Sequence, residues 1–258
     1  MKRYLAAFAV VVSCATLAAQ SSSNGHPDLS GTWLFSIDLP PIALKKTTNG
    51  AASVKTIDAS GRRPAATDIP GTLPFAPAPV YKQEFRTKVK DLIDHESKTD
   101  PVFYCDRPGI PRIGPPRRII QLPNEFVFLY EDISGDPYRI IPVGGQHKKD
   151  GNPSYYGDSV ARWDGNTLVV DVVNFVDSTW FGEDGYFHSD AMHVTERFWR
   201  SGANLVYQVT VDDPKVLASP WTMAPRVVKP STEGLEESPK CTESDAKLLV
   251  NNDHHGQR

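Results

Sequence analysis

The sequence is short of cysteine, of net charge and of long apolar runs, and each shortage narrows the possible functions. Its 258 residues include 3 cysteines and carry a formal net charge of -3. So small a net charge gives no electrostatic basis for binding nucleic acid or an anionic membrane surface. The strongly apolar run from Tyr4 to Ser13 is too short to span a bilayer as a helix, so no membrane span is expected.

Two catalytic signatures are also missing. No glycine-rich phosphate loop is present, which argues against a nucleotide cofactor. Ser159 follows Asp158 on a predicted strand, without the Gly-x-Ser-x-Gly turn that exposes a serine nucleophile. We therefore expect no cofactor and no nucleophilic serine.

The amino terminus has the pattern of an export signal. Lys2 and Arg3 precede the apolar run, and small residues around Ala19 suit a cleavage site. We predict a signal peptide over residues 1–19, a polar linker over 20–27, and a periplasmic or secreted protein. The alternative is a lipoprotein anchored through Cys14, since the residues before Cys14 resemble a lipidation box.

Cleavage would leave two cysteines, Cys105 and Cys241. Two cysteines in an exported chain are typical of one long-range disulfide. Such a bridge would contribute about 4–5 kcal/mol in the chain-entropy model. The alternative is a nucleophilic thiol, but neither cysteine follows a recognisable catalytic motif or adjoins a histidine.

Two strand-turn-strand units between Tyr156 and Val211 indicate the architecture. The first alternates from residue 158 and turns at Asp164–Gly165, and the second turns at residues 201–203. Asp-Gly between β-branched and aromatic runs is a strong hairpin signal, because both turn residues tolerate positive φ. Earlier alternating runs predict further strands at 28–36, 117–121, 125–131 and 138–143.

The whole chain is therefore predicted to be all-β. We expect an antiparallel meander over residues 28–224 that closes into a lipocalin-like barrel or a strongly curled sheet, because closure removes strand edges. Gly31-x-Trp33 resembles the opening of lipocalin-type barrels. The domain also includes one helix over residues 81–95, with helical apolar spacing, and a Pro/Ala-rich excursion over 40–80 without regular pattern. Residues 225–258 are predicted to be a polar tail tethered by Cys241.

Several stretches together resemble a large, mostly uncharacterised family of exported bacterial β-barrel-like proteins. They are PDLSG-x-W, CDRPGIPR, GDSVARW, TLVVDVVNF and HSDAMHVTERF. The resemblance implies export and a lipocalin-like fold, and it leaves the activity open. Family members commonly have Asp-Gly-Arg before a histidine where this chain has Gly144–Gly145–Gln146 before His147, which puts a charged contact in that loop in doubt.

Strand alternation sorts side chains onto two faces. Glu196 shares a face with Val194 and Phe198, so it is predicted to lie inside, where it would need Arg162 or another donor as a partner. Our first hypothesis is a barrel that binds a small, largely apolar molecule. Its predicted ligand-binding residues are Arg162, Glu196, Trp163, Phe128, Tyr130, Phe198, Tyr207 and Trp33. A packed core with a structural Arg162–Glu196 pair remains the alternative.

The second hypothesis is a cofactor-independent acid–base enzyme (lyase, isomerase, cyclase or hydrolase) with its site at the barrel mouth. Its predicted catalytic residues are His188, His193, Asp190, His147 and Asp158, with hydroxyl donors from Tyr155, Tyr156 and Tyr186. A histidine oriented by a carboxylate can remove a proton that a second group returns. A metal site from His188, Asp190 and His193 is disfavoured, because alternation puts His193 on the opposite face.

Overall fold

The computed structural model describes residues 25–34, 42–48, 51–57, 78–132, 135, 137–238 and 240–242. The predicted signal peptide with Cys14, most of the linker and the end of the predicted tail lie outside these residues. The described chain is mostly β-structure. Its strands are β1 (Gly31–Thr32), β2 (Ile42–Thr48), β3 (Ala51–Ile57), β4 (Arg118–Gln121), β5 (Glu125–Leu129), β6 (Tyr138–Pro142), β7 (Asp158–Asp164), β8 (Thr167–Val173), β9 (His193–Ser201), β10 (Asn204–Asp212), β11 (Trp221–Thr222) and β12 (Arg226–Val228).

Apart from the β2–β3 pair, the strands form two antiparallel sheets. The first sheet has the order β1-β4-β5-β6, and the second has the order β11-β10-β9-β8-β7 with β12 also paired to β10. Buried positions alternate with more accessible ones in β6 and along β9 as far as Phe198, so each sheet has one inner face. The buried apolar side chains of both inner faces belong to a single core cluster.

Isolated bridges connect the two sheets at both edges. Trp33 bridges antiparallel to Pro230, and Val143 bridges parallel to Ala161. Hydrogen bonds from Leu34 N to Lys229 O and from Gly144 N to Ala161 O, both 2.8 Å, accompany these bridges. The prediction of an all-β fold is confirmed. The closed lipocalin-like barrel is not confirmed, because single bridges and not strand ladders join the two sheets at these edges.

The helical segment lies where its apolar spacing predicted. A 3₁₀ turn at Gln83–Phe85 leads into α1 (Arg86–Asp94), and a single turn, α2 (Glu96–Thr99), follows. Phe85, Val89 and Leu92 pack on the core from one side. A second 3₁₀ turn, Pro101–Tyr104, leads to Cys105, which is joined to Cys241 with their Cα atoms 5.6 Å apart, in agreement with the predicted disulfide.

Three details of the predicted layout were wrong. The excursion over residues 40–80, expected to lack regular structure, contains β2 and β3, which pair with each other. The dipeptide Asn49–Gly50 between them in sequence is itself a hairpin signal. The first turn is Gly165–Asn166, because Asp164 still pairs with Thr167. The segment assigned to the tail begins with β12, which pairs with β10.

Candidate functional site

The most deeply buried charges of the two sheets lie between their inner faces. Glu196 is on the inner face of β9, between Val194 and Phe198, and it is 0% exposed. Sequence alternation predicted this position. The first sheet supplies the opposing charge, because Arg139 occupies the inner face of β6 beside Ile141.

Arg139 is the ion-pair partner of Glu196. Its Nη2 donates to Glu196 Oε2 over 2.6 Å. Arg162, the one partner that the sequence analysis named beside an unspecified donor, is exposed on the outer face of β7. The Arg162 prediction was wrong because alternation places Ser159 and Ala161 inward on β7 and Arg162 outward.

Three hydroxyl groups complete the buried network. Arg139 donates through Nη1 to Tyr130 Oη (3.0 Å) and through Nε and Nη2 to Ser159 Oγ (3.2 and 2.8 Å). Tyr207 donates to Glu196 Oε1 over 3.1 Å. Within the described residues, Tyr130 and Ser159 accept from Arg139 and donate their own protons to no other group.

The network stays charged on Arg139 and neutral on its tyrosines. Burial opposes the positive charge, but Glu196 and Tyr130 outweigh it and raise the pKa of Arg139 above its ordinary value. Burial raises the pKa of both Tyr130 and Tyr207, so each keeps its proton. The interior therefore contains a buried Arg139–Glu196 ion pair whose neighbours are neutral hydroxyl groups.

The predicted aromatic residues surround this network. Phe128, Tyr130, Phe198 and Tyr207 are all buried. The Phe128 ring meets the Phe198 ring edge-on at 5.1 Å, Phe198 lies 4.9 Å from Tyr207, and the Arg139 guanidinium lies 5.8 Å from Phe128. The structure therefore brings these predicted ligand-binding residues together.

Trp163 and Trp33 are farther along the interior. Trp163 is partly buried, packs edge-on against Phe126 at 5.9 Å and stacks on His26 at 4.5 Å. Trp33 is buried under the Arg200 guanidinium at 4.7 Å, and Arg200 also donates to Asp28 O over 2.9 Å. Among the described residues, Trp33 Nε1 has no hydrogen-bond partner.

A second cluster joins the loop after β6 to the outer face of the second sheet. His147 Nδ1 lies 3.1 Å from Asp158 Oδ2, and His147 Nε2 lies 2.7 Å from Asp171 Oδ2. His193 Nε2 lies 2.5 Å from the other oxygen of Asp171. Three predicted catalytic residues, His147, Asp158 and His193, are thus linked through Asp171.

His147 in this cluster has to carry a positive charge if both contacts are hydrogen bonds. A neutral imidazole has only one N–H, whereas both ring nitrogens of His147 face carboxylate oxygens. Partial burial would lower the pKa of His147, but the bonds to Asp171 and Asp158 outweigh it and raise the pKa above 6.5. Burial would likewise raise the pKa of Asp171, and the bonds from the two histidines lower it instead.

The other two predicted catalytic residues lie elsewhere, so the predicted five-residue site does not form. His188 is buried, with Nε2 2.8 Å from Thr179 Oγ1 and Nδ1 2.9 Å from Ser189 O, and its burial lowers its pKa. Asp190 is exposed and pairs with Lys215 at 2.5 Å. Both residues lie in the long connection between β8 and β9.

The predicted hydroxyl donors are also dispersed. Tyr155 is hydrogen-bonded to Asp106, which raises its pKa, and its ring lies 5.8 Å from the Arg107 guanidinium. Tyr156 is partly buried, and burial raises its pKa. Burial raises the pKa of Tyr186 to about 12, and its ring stacks on Phe181.

Sequence reasoning missed three residues of these two clusters, namely Arg139, Ser159 and Asp171. Alternation in YRIIP already places Arg139 on the same face as the apolar Ile141, and Asp171 interrupts the apolar run TLVVDVV. A polar residue in register with buried positions is the signal for Arg139, and a lone carboxylate within an apolar strand is the signal for Asp171.

Among the described residues, no group of three or more His, Cys, Asp or Glu side chains is arranged to hold a metal ion. None of the described helices combines the length and the apolar character needed to cross a membrane. Comparison of the chain with models of protein families, with curated proteins and with solved structures gave no match.

Proposed function

We propose that this protein is an exported, lipocalin-like barrel that binds a small, largely apolar molecule between its two sheets. The observation that carries the proposal is the Arg139–Glu196 pair, buried among aromatic rings. A buried ion pair is often no more stabilising than apolar residues of the same size. Its presence therefore favours a role in recognition.

Two further features support the finer parts of the proposal. The bridges at Trp33 and Val143 link both edges of the two sheets, as barrel closure requires. The disulfide and the amino-terminal signal pattern fit export into an oxidising compartment, as does the resemblance to a family of exported bacterial proteins.

The binding proposal is tested with N-phenyl-1-naphthylamine, a neutral dye that gains fluorescence when it leaves water. We expect saturable uptake at one dye per chain. Ala161 is buried on the inner face of β7, so Ala161→Leu fills part of the interior and is expected to weaken uptake at least roughly tenfold. Ala203 is exposed in the β9–β10 turn, and Ala203→Leu should leave uptake unchanged.

Circular dichroism and thermal melting check that each variant is folded. If Ala161→Leu does not fold, Val170→Ile makes a milder addition from the paired strand β8. Absence of saturable uptake by the unchanged protein would refute the proposal, as would equal uptake by a folded variant with a filled interior.

The second candidate function is acid–base catalysis at the outer cluster. The chain Asp158–His147–Asp171–His193 favours it, because Asp171 fixes His193 through Nε2 while His193 Nδ1 has no partner within the described residues. Nδ1 is then positioned as a general base that can return the proton as a general acid, while His147, whose two N–H groups both face carboxylates, holds Asp171 in place.

Hydrolysis of p-nitrophenyl acetate tests this second candidate. We expect His193→Gln to lower kcat/KM about tenfold or more, and the matched change of the exposed His95 to Gln to have no effect. Equal rates for the unchanged protein and His193→Gln would remove acid–base catalysis of this ester from consideration.

A further inference from the structure

The interior network has no ionic charge left for a ligand. Arg139 and Glu196 neutralise each other through the 2.6 Å contact, and Tyr207 donates its proton to the second carboxylate oxygen. An anionic or cationic ligand brought to this site would lose its hydration without gaining an opposite charge. The cost of burying an unpaired charge disfavours both.

The hydrogen-bonding groups of the network that remain unused are the O–H donors of two hydroxyl groups. Ser159 Oγ already accepts twice from Arg139, so only its proton remains for a further bond. Tyr130 Oη also accepts from Arg139, and burial keeps the phenol protonated. Within the described residues, neither hydroxyl donates its proton to a protein acceptor.

One guanidinium binds both of these hydroxyl groups. Arg139 holds Tyr130 on Nη1 and Ser159 on Nε and Nη2, so the hydroxyl oxygens flank the same planar group. The neighbouring rings of Phe128 and Phe198 offer apolar contact only. The site thus combines two donors that one guanidinium holds in place with an apolar wall.

We infer that the interior site selects a neutral molecule that presents a carbonyl-type acceptor to Tyr130 and Ser159 and an apolar body to the aromatic rings, and that it rejects carboxylates of the same shape. This inference rests on the proposed binding function. It adds the chemical class of the ligand.

Three probes with one skeleton separate the possibilities. They are 4-phenylbutan-2-one, which has a neutral acceptor, 3-phenylpropanoate, which has an anionic one, and butylbenzene, which has none. Each competes with N-phenyl-1-naphthylamine at neutral pH. We expect the ketone to displace the dye at a concentration at least roughly tenfold lower than either of the others.

Variants of the two hydroxyl groups connect this preference to the named residues. Tyr130→Phe and Ser159→Ala should each weaken ketone binding roughly 5- to 20-fold and leave butylbenzene binding unchanged. Tyr104→Phe is the matched control, because the Tyr104 hydroxyl is exposed and donates to Lys98 O. Unchanged butylbenzene binding also shows that each variant retains a folded interior.

The outcomes separate the inference from the function on which it rests. If the dye itself shows no saturable binding, the proposed binding function fails and the inference fails with it. If the dye binds but the carboxylate or butylbenzene competes as well as the ketone, or no probe competes, the inference alone is overturned. Equal effects of Tyr130→Phe on ketone and butylbenzene would also overturn it.

Discussion

Removal of one charge from the Arg139–Glu196 pair should destabilise the protein far more than removal of both. Glu196→Gln keeps an oxygen acceptor for Tyr207 but leaves the Arg139 guanidinium buried without a counter-charge. An uncompensated buried charge of this kind costs about 3–5 kcal/mol. Arg139→Met leaves the opposite charge unpaired and should cost a similar amount.

The double variant Arg139→Met/Glu196→Gln contains neither charge. Tyr207 still has its acceptor, and the new amide can donate to the oxygens that Arg139 served, so the expected cost is about 1–2 kcal/mol. Two single costs of about 3–5 kcal/mol and this double cost give a coupling free energy of at least about 4 kcal/mol.

Urea denaturation followed by tryptophan fluorescence measures these differences. With a slope near 2 kcal/mol per molar urea, each single variant should lower the midpoint by roughly 2 M and the double variant by less than about 1 M. Asp164→Asn is the matched control, because Asp164 pairs with Arg197 at 3.4 Å on the exposed surface and should cost under about 1 kcal/mol. Single costs near zero, or a double cost equal to their sum, would refute a tightly coupled buried pair.

Three further measurements test the backbone, the disulfide and the outer cluster. Gly157→Ala should lower the free energy of unfolding by well over about 2 kcal/mol in the same urea assay, because φ is +64° and the new Cβ would lie 2.7 Å from Val173 O. Gly165→Ala is the control: φ is +58° but the space around it is open, so the loss should be only about 1 kcal/mol. Replacing Cys105 and Cys241 by Ala should lower the free energy of unfolding by about 5 kcal/mol, and a thermal melt without reductant that does not change would contradict this. The raised pKa of His147 contributes stability that is complete below its unfolded pKa of 6.5 and is lost as pH rises through the higher folded value. His147→Gln should therefore flatten the fall in Tm above pH 6.5. The same dependence of Tm on pH in the variant and the unchanged protein would exclude this linkage.

Much of the fold follows from local pattern. Alternation identified the strands of both large hairpins, the inner position of Glu196 and the outer position of His193, because side chains of a strand point to opposite faces at every step. Two cysteines outside the signal region predicted the disulfide that the structure contains. These properties depend on neighbouring residues or on a simple count, and the sequence contains both.

The partner of Glu196 was beyond local pattern. Arg139 lies 57 residues before Glu196, on the other sheet, and it reaches Glu196 because the two inner faces pack against each other. Arg162 fits the same hypothesis in sequence, but its strand is in the same sheet as β9, where alternation points it outward. Alternation along β7 excludes Arg162, whereas the packing of one sheet on the other brings Arg139 to Glu196.

The same reason explains the division of the predicted catalytic residues. His188, Asp190 and His193 are close in sequence, yet His188 packs against Thr179, Asp190 pairs with Lys215, and His193 bonds to Asp171 on the neighbouring strand. By itself, the sequence determined most of the strands of the two sheets and the alternation of side chains along them. Only the tertiary structure decided which faces and strands meet, because contacts between distant segments depend on sheet order and packing, which no local period encodes.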